Sequence, residues 1–224
     1  MSAGFNTRIV TNGLVIYLDA ANRKSHPKTG DTWYDISGGG SNAFLGNSPS
    51  YSNNNLGSVQ FDSGLEQYGQ IDYTTQHYDF TACVWFKRDT SVSRIDQERI
   101  LDRNPSSGFW MGRNLTNASS WGGGVLESIS PYGRFVTLTD GQWHYLVSRR
   151  SGATHTISGN GGEVTTSGTV STYPIENELI IASNQRANGN FFHGNIAVVQ
   201  LYDRALTDAE IKQNFNAHRG RFGK

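Results

Sequence analysis

Apolar residues along most of this chain recur at every second position, the period of a strand with one covered face, and not at the three-to-four spacing of a helix. Leu14, Ile16 and Leu18 share one face of a first run, and Val59 and Phe61 alternate with polar neighbours in a second. Phe80, Ala82, Val84 and Phe86 form the next inward row, opposite Thr81, Cys83, Trp85 and Lys87. A further row sets Trp143, Tyr145 and Val147 against His144, Leu146 and Ser148. Leu179-Ile180-Ile181-Ala182 is continuously apolar and Ile196 through Tyr202 nearly so, which predicts central strands covered on both faces. Turn signals separate these runs: Gly38-Gly39-Gly40, Asn53-Asn54-Asn55, Pro105 to Gly108, Gly122-Gly123-Gly124 and Asn160-Gly161-Gly162. Their regular recurrence predicts an all-β, antiparallel sandwich with loops gathered at its rims, and none is long enough to be an interdomain linker.

The C-terminus departs from this pattern. Thr207-Asp208-Ala209-Glu210 has the spacing of a capping box, and Leu206 and Ile211 are placed for a hydrophobic staple across it. A short helix through about Ala217, with Ile211 and Phe215 as its apolar stripe, is expected to lie on the sandwich beside the strand holding Tyr202. The tail, residues 218–224, is basic and carries one aromatic. Two readings stand for it: a frayed end, or a strip in which Arg219, Arg221, Phe222 and Lys224 dock onto a neighbouring protein.

Composition narrows the function. With 224 residues, 26 glycines and 5 prolines, the chain suits one large sandwich of short strands over its whole length, 1–224. Nineteen basic side chains balance nineteen acidic ones, so no overall field draws the protein to nucleic acid or to an anionic membrane. No run is apolar enough to span a bilayer, and Met1 through Arg8 holds no apolar secretion segment. The sequons at Asn114 and Asn117 are therefore read as chance. The lone cysteine, Cys83, lies among Phe80, Ala82, Val84 and Trp85 and is read as a buried structural thiol.

Several segments, taken in order, carry a family resemblance. They are Gly13 through Ala20, Thr32-Trp33-Tyr34-Asp35-Ile36-Ser37-Gly38, Val59-Gln60-Phe61-Asp62, Phe80 through Phe86, Asp140-Gly141-Gln142-Trp143-His144-Tyr145, Phe192-His193-Gly194-Asn195-Ile196, and Leu201 through Thr207 with the helix behind it. In this order they resemble a laminin-G-like member of the concanavalin A-like lectin and glucanase superfamily. The resemblance implies a jelly-roll sandwich with a short C-terminal helix, and it makes Trp33 and Tyr34 core residues. The two ends, Gly13 to Ser25 and Gln213 to Phe222, are similar to structural proteins of tailed bacteriophages, cyanophages among them. That narrower resemblance implies a virion component assembled in host cytoplasm, in contact with other virion proteins, with a homo-oligomer as an allowed state.

The superfamily also contains glucanases, which use paired carboxylates on one strand. The nearest segment here is Arg94-Ile95-Asp96-Gln97-Glu98, where alternation puts residues 94, 96 and 98 on one face. The family's motif needs a glutamate where this chain has Arg94, so the attacking group is missing, and Asp96 and Glu98 are read as a solvated, charge-paired segment. His144 and His193 lack the spacing of a zinc site, and the glycine-rich loops lack the lysine of a phosphate-binding loop. The expectation is a non-enzyme.

Binding a sugar asks for an exposed aromatic face beside amide or guanidinium donors. Trp110, Arg113, Asn114, Trp121 and Tyr132 supply that mixture, with packing of the two indoles in the sandwich or its rim as the alternative. Many relatives bind calcium at a rim, and Asp35, Asp62 or Asp72 are the carboxylates available for it, although no ordered ligand loop is visible. Two function classes follow: a particle-building protein acting through protein contacts, and a carbohydrate-binding adhesin recognising host surface glycans.

Overall fold

The computed structural model describes residues 8–93, 97–103, 108–113, 120–125, 133–170, 178–184, 187 and 189–224. The strands run, in chain order, β1 (Leu14–Asp19), β2 (Thr32–Trp33), β3 (Ala43–Gly46), β4 (Ser50–Ser52), β5 (Ser58–Phe61), β6 (Tyr68–Ile71), β7 (Phe80–Arg88) and β8 (Glu98–Arg103). They continue with β9 (Phe109–Arg113), β10 (Ser120–Val125), β11 (Gly133–Thr137), β12 (His144–Ser151), β13 (Thr154–Gly159), β14 (Val164–Thr169), β15 (Leu179–Ile181) and β16 (Gly194–Tyr202), and the helix α1 (Asp208–His218) follows.

Two eight-stranded antiparallel sheets face each other. One has the order β14-β13-β12-β7-β16-β5-β4, with β1 also pairing β16; the other has the order β11-β10-β9-β8-β15-β6-β3-β2. Between them lie the rows that the alternation marks: Ile16 and Leu18, Val59 and Phe61, and Phe80, Ala82, Val84 and Phe86. Trp33 joins this core, whereas Tyr34 is 43% exposed, so only the first of the two aromatics expected inside is there.

The first sheet is apolar on its outer face as well. Cys83, Trp85, Tyr145, Val147, Val198 and Tyr202 form a second cluster with Leu206, Ile211, Phe215 and Phe222 of the C-terminal segment. This corrects the reading of β12. Tyr145 and Val147 pair with Trp85 and Cys83 on the outer face, and it is Leu146 that enters the core between the sheets.

The helix starts as its sequence predicts. Thr207 Oγ1 accepts from the Glu210 amide at 3.3 Å, and the Glu210 carboxylate accepts from the Thr207 amide at 2.8 Å. Leu206 and Ile211 both pack in the cluster beneath, as the staple requires. The segment before β1 is tied to the same helix: the Val10 amide donates to Asn214 Oδ1 at 2.8 Å, and the Tyr202 hydroxyl donates to the Val10 carbonyl at 2.9 Å.

The tail is not frayed, and part of it is held by its own fold. Residues Arg219–Phe222 form a 3-10 turn, and the Phe222 ring stacks on Trp85 with centroids 4.2 Å apart and lies 4.7 Å from Trp143. Arg221 pairs with Asp19 at 2.7 Å and donates to the carbonyls of Asn55 and Gly57 at 2.9 and 2.7 Å. Of the four tail residues expected to face a partner, Arg221 and Phe222 are thus engaged by their own fold, and Arg219 and Lys224 are exposed.

Two measurements test this packing. Thr207→Ala removes the cap oxygen and is expected to cost about 1 kcal/mol in denaturant unfolding. Phe222→Ala opens a gap between two indoles and is expected to cost about 3 kcal/mol; a loss below about 0.5 kcal/mol, the range of a neutral surface change, would mean that the tail does not pack on the sheet.

Candidate functional site

The residues expected to read a sugar are sent to different places by the alternation of β9. Phe109 and Met111 join the core between the sheets, which turns Trp110 to the outer face of the second sheet. There Trp110 is only 2% exposed, beneath the Arg99 guanidinium at 4.2 Å from its ring and beside the Phe135 ring at 5.9 Å. Trp121 is fully buried inside, 4.7 Å from Phe86 and 6.2 Å from Phe192 between ring centroids. Neither indole offers an open face, so sugar stacking on these two rings is replaced by packing. Asn114 and Tyr132 lie outside the described residues.

Arg113 points inward with Trp121 into a buried ion network. Its guanidinium meets Asp140 at 3.1 Å and Glu98 at 3.4 Å, and Arg88 from the opposite sheet meets Glu98 at 2.9 Å. The Trp121 indole donates to Asp140 Oδ1 at 3.0 Å. Two guanidiniums and two carboxylates neutralise one another here, which is what makes burial of four charges tolerable. Burial pushes the Glu98 carboxyl up, and Arg88 and Arg113 act against that shift.

Glu98 is therefore not part of a solvated segment. It has no exposed surface, and its partners are Arg88 and Arg113, whereas Arg99 pairs with Asp102 at 3.5 Å. Arg94 and Asp96 lie outside the described residues. A carboxylate held between two guanidiniums inside the sandwich bridges β7 with β8 and β9, and it has no route to a glycosidic bond.

The histidines are also held within the fold. His144 contacts the Thr139 carbonyl at 2.8 Å through Nε2, and burial lowers its pKa. His193 Nδ1 lies 3.3 Å from the Ser63 amide and 3.4 Å from Asp62. Among the described residues no group of three or more His, Cys, Asp or Glu side chains converges on a point where a metal ion could sit. The Asp35 carboxylate accepts from the amides of Tyr17, Ser37 and Ser41. Asp62 accepts from the Gly64 amide and Asp72 from the Gln70 side chain, so the three carboxylates considered for calcium serve separate turns.

Open cavities occur instead on the outer face of the first sheet. One, of about 360 Å³, lies between α1 and the β13–β14 edge. Register lines up its sheet wall: Arg149 pairs with Thr156, and Ser158 pairs with Thr165. Asp208, Ile211 and Lys212 of α1 face that wall, and Arg149 spans the gap, donating to Asp208 at 2.7 Å and to the Leu206 carbonyl at 2.7 Å. Gly161 shapes the end of the cleft. Its φ of +74° is a left-handed conformation, and a Cβ there would lie 2.7 Å from the Phe215 ring, so the turn can press against the helix only as glycine.

A second cavity, of about 320 Å³, lies where β4, β5, β16 and β7 meet the turn before β12, with no residue of α1 in its lining. Reading the sequence for aromatics did not find either cavity. The available signal was polar alternation: Thr154, Thr156 and Ser158 in one run, Thr165, Ser167 and Thr169 in the next.

Sequence and structure comparisons agree with this architecture. A laminin G family model, described as the concanavalin A-like lectin/glucanases superfamily, matches residues 62–212. No curated protein matches the sequence. Among solved structures, the binding domain of botulinum neurotoxin DC in complex with SialylT is similar at a TM-score of 0.71 and 11% identity, over 92% of this chain and 52% of that one. The binding domain of Paraclostridial Mosquitocidal Protein 1 is similar at a TM-score of 0.70 and 14% identity, over 92% and 52% of the two chains. The neurotoxin DC binding domain in complex with rat synaptotagmin II gives a TM-score of 0.70 at 11% identity, over 93% and 52%. The chain thus spans about half the length of these toxin binding domains, and at such identities the likeness is one of fold. These structures lend no support to the likeness of the two terminal segments to phage proteins. With two stacked antiparallel sheets, a capped C-terminal helix and a family match from Asp62 to Lys212, this chain belongs to the concanavalin A-like lectin/glucanases superfamily.

Proposed function

We propose that this chain is a carbohydrate-binding module that takes a sugar in the cleft between α1 and the β13–β14 edge. One observation carries the reading: a cavity of about 360 Å³ whose sheet wall presents the hydroxyls of Thr156, Ser158 and Thr165, and whose helix wall presents Asp208 and Lys212. A sugar hydroxyl both donates and accepts, so its recognition needs acceptors and donors on facing walls, which carboxylate, hydroxyl and ammonium groups together supply. Ile211 at the floor gives the C–H face of a ring an apolar surface. The volume suits one or two sugar rings.

Fold analogy points the same way, since a toxin binding domain of this architecture is found in complex with SialylT. Binding without hydrolysis is favoured because Glu98, the glutamate of the segment nearest to a glucanase motif, is enclosed by Arg88 and Arg113. Mounting of the module on a virion is proposed from the resemblance of its terminal segments alone. A building role through tail contacts loses its two strongest residues, because Phe222 and Arg221 are occupied within the chain.

The test is a glycan array read with the wild type and with Thr165→Trp, which fills the cleft from an exposed position on an edge strand. The wild type is expected to bind at least one glycan, with affinity reduced about tenfold or more in the variant and a further tenfold loss expected for Lys212→Ala. Array binding unchanged by Thr165→Trp, or no binding to any glycan, would remove the proposal.

A further inference from the structure

His218, the last residue of α1, is 7% exposed and is engaged through both ring nitrogens. Nδ1 lies 3.2 Å from the Asn214 carbonyl, which can only accept, so Nδ1 carries the ring proton and Nε2 is left as an acceptor. The Tyr17 hydroxyl of β1, 3.2 Å from Nε2, donates to it. Charged and titratable groups reach this point from every element around it. β1 supplies Tyr17 and Asp19, the turn after α1 supplies Arg221, and the segment before β1 supplies Arg8. β16 supplies Tyr202, whose hydroxyl accepts from the Asn214 side chain at 2.9 Å. Arg8, Tyr17, Asp19, His218 and Arg221 line one open cavity of about 810 Å³, which gives water a path to the ring.

A second proton on this ring finds no ready acceptor among the described residues. It would point from Nε2 at the Tyr17 hydroxyl, which would have to accept it and turn its own proton to Asp19 Oδ2 at 3.4 Å. The other Asp19 oxygen is already taken by Arg221 at 2.7 Å and by the Ala21 amide at 3.0 Å. That carboxylate and guanidinium neutralise each other, so an imidazolium here is a surplus buried charge beside a second cation. Burial accordingly lowers the His218 pKa; Asp19 and the Asn214 carbonyl act against the shift, and Arg221 adds to it. With α1 lifted, the ring is hydrated and titrates in the ordinary histidine range. The covered state therefore keeps its full stability above that range and loses stability as pH falls from the open value through the covered one.

We infer that the Tyr17–His218 contact is an acid-sensitive latch, and that protonation of His218 frees α1 and the turn behind it from the outer face of the first sheet. The latch sits at the joint between the two parts of the cover. Arg221 pairs with Asp19 beside the ring, and Phe222 of the same turn stacks on Trp85 and lies against Trp143. None of Tyr17, Asp19, His218 and Arg221 belongs to the core between the sheets, so release of the cover leaves the sandwich standing.

The test follows amide hydrogen exchange of the full chain from about pH 8 to about pH 5, corrected for the intrinsic rate, with the His218 ring titrated in parallel by nuclear magnetic resonance. Protection of the α1 amides is expected to fall by about tenfold toward acid while that of β7 and β16 is retained. His218 is expected to titrate below a histidine of the unfolded chain. His144 of β12 interacts electrostatically with Lys224 at the end of the tail, so a variant has to separate the two histidines. His218→Gln, whose amide oxygen can still accept from Tyr17, is expected to hold α1 protection constant across the range. Four results would each overturn the latch: constant α1 protection in the wild type, a fall that survives in His218→Gln, a fall shared equally by β7 and β16, or a His218 midpoint at or above the unfolded-chain value. Should His218→Gln fail to fold, the wild type decides: a loss of α1 protection that levels off below the ring's own midpoint supports the latch, and one that keeps deepening there overturns it.

Discussion

A sheet that is apolar on both faces cannot end at solvent, and this molecule is organised around covering the second face. Trp85, Tyr145, Val147 and Tyr202 would leave a large apolar surface exposed if the chain stopped at β16. The helix α1 covers the middle of it with Ile211 and Phe215, and the last turn adds Phe222 against Trp85 and Trp143. The capping box and the Arg221–Asp19 pair fix the two ends of that cover. Binding chemistry is displaced as a result. The centre of the face is filled, and the clefts that remain open lie beyond it.

A different constraint acts within the sandwich. Arg88 comes from one sheet, and Glu98 and Arg113 from the other, so the ion network joins the two layers through charge. Removing one partner would strand the others without solvent, a cost of several kcal/mol, so the network resists piecemeal change. That resistance makes Glu98 a structural residue despite its resemblance to catalytic carboxylates.

Much of this was legible in the sequence, and the failures have physical causes. The period of two located β1, β5 and β7, a nearly continuous apolar run located β16, and Thr207 with Glu210 located the start of α1, because these signals are local. The same period identifies a face without saying which body covers it, so the row of Tyr145 and Val147 was assigned to the core between the sheets when α1 is what buries it. Tryptophan in a sugar-binding composition was ambiguous for a related reason: an indole that packs and an indole that stacks a ligand look alike until its neighbours are known. The cavities were out of reach altogether. Gln60, Lys87 and Asn195 come from strands far apart in the chain and meet only through sheet order, which no local pattern encodes.

Cys83 lies under that helical cover as the chain's one thiol, fully buried and with its pKa pushed up to about 12 by the apolar surroundings. While the cover is closed, the sulfur is both inaccessible and protonated, and a thiol reagent finds no nucleophile. Its modification rate therefore counts the moments at which α1 and the tail lift from the sheet. The molecule carries a built-in chemical clock for the opening of its own C-terminal segment, readable without any introduced label.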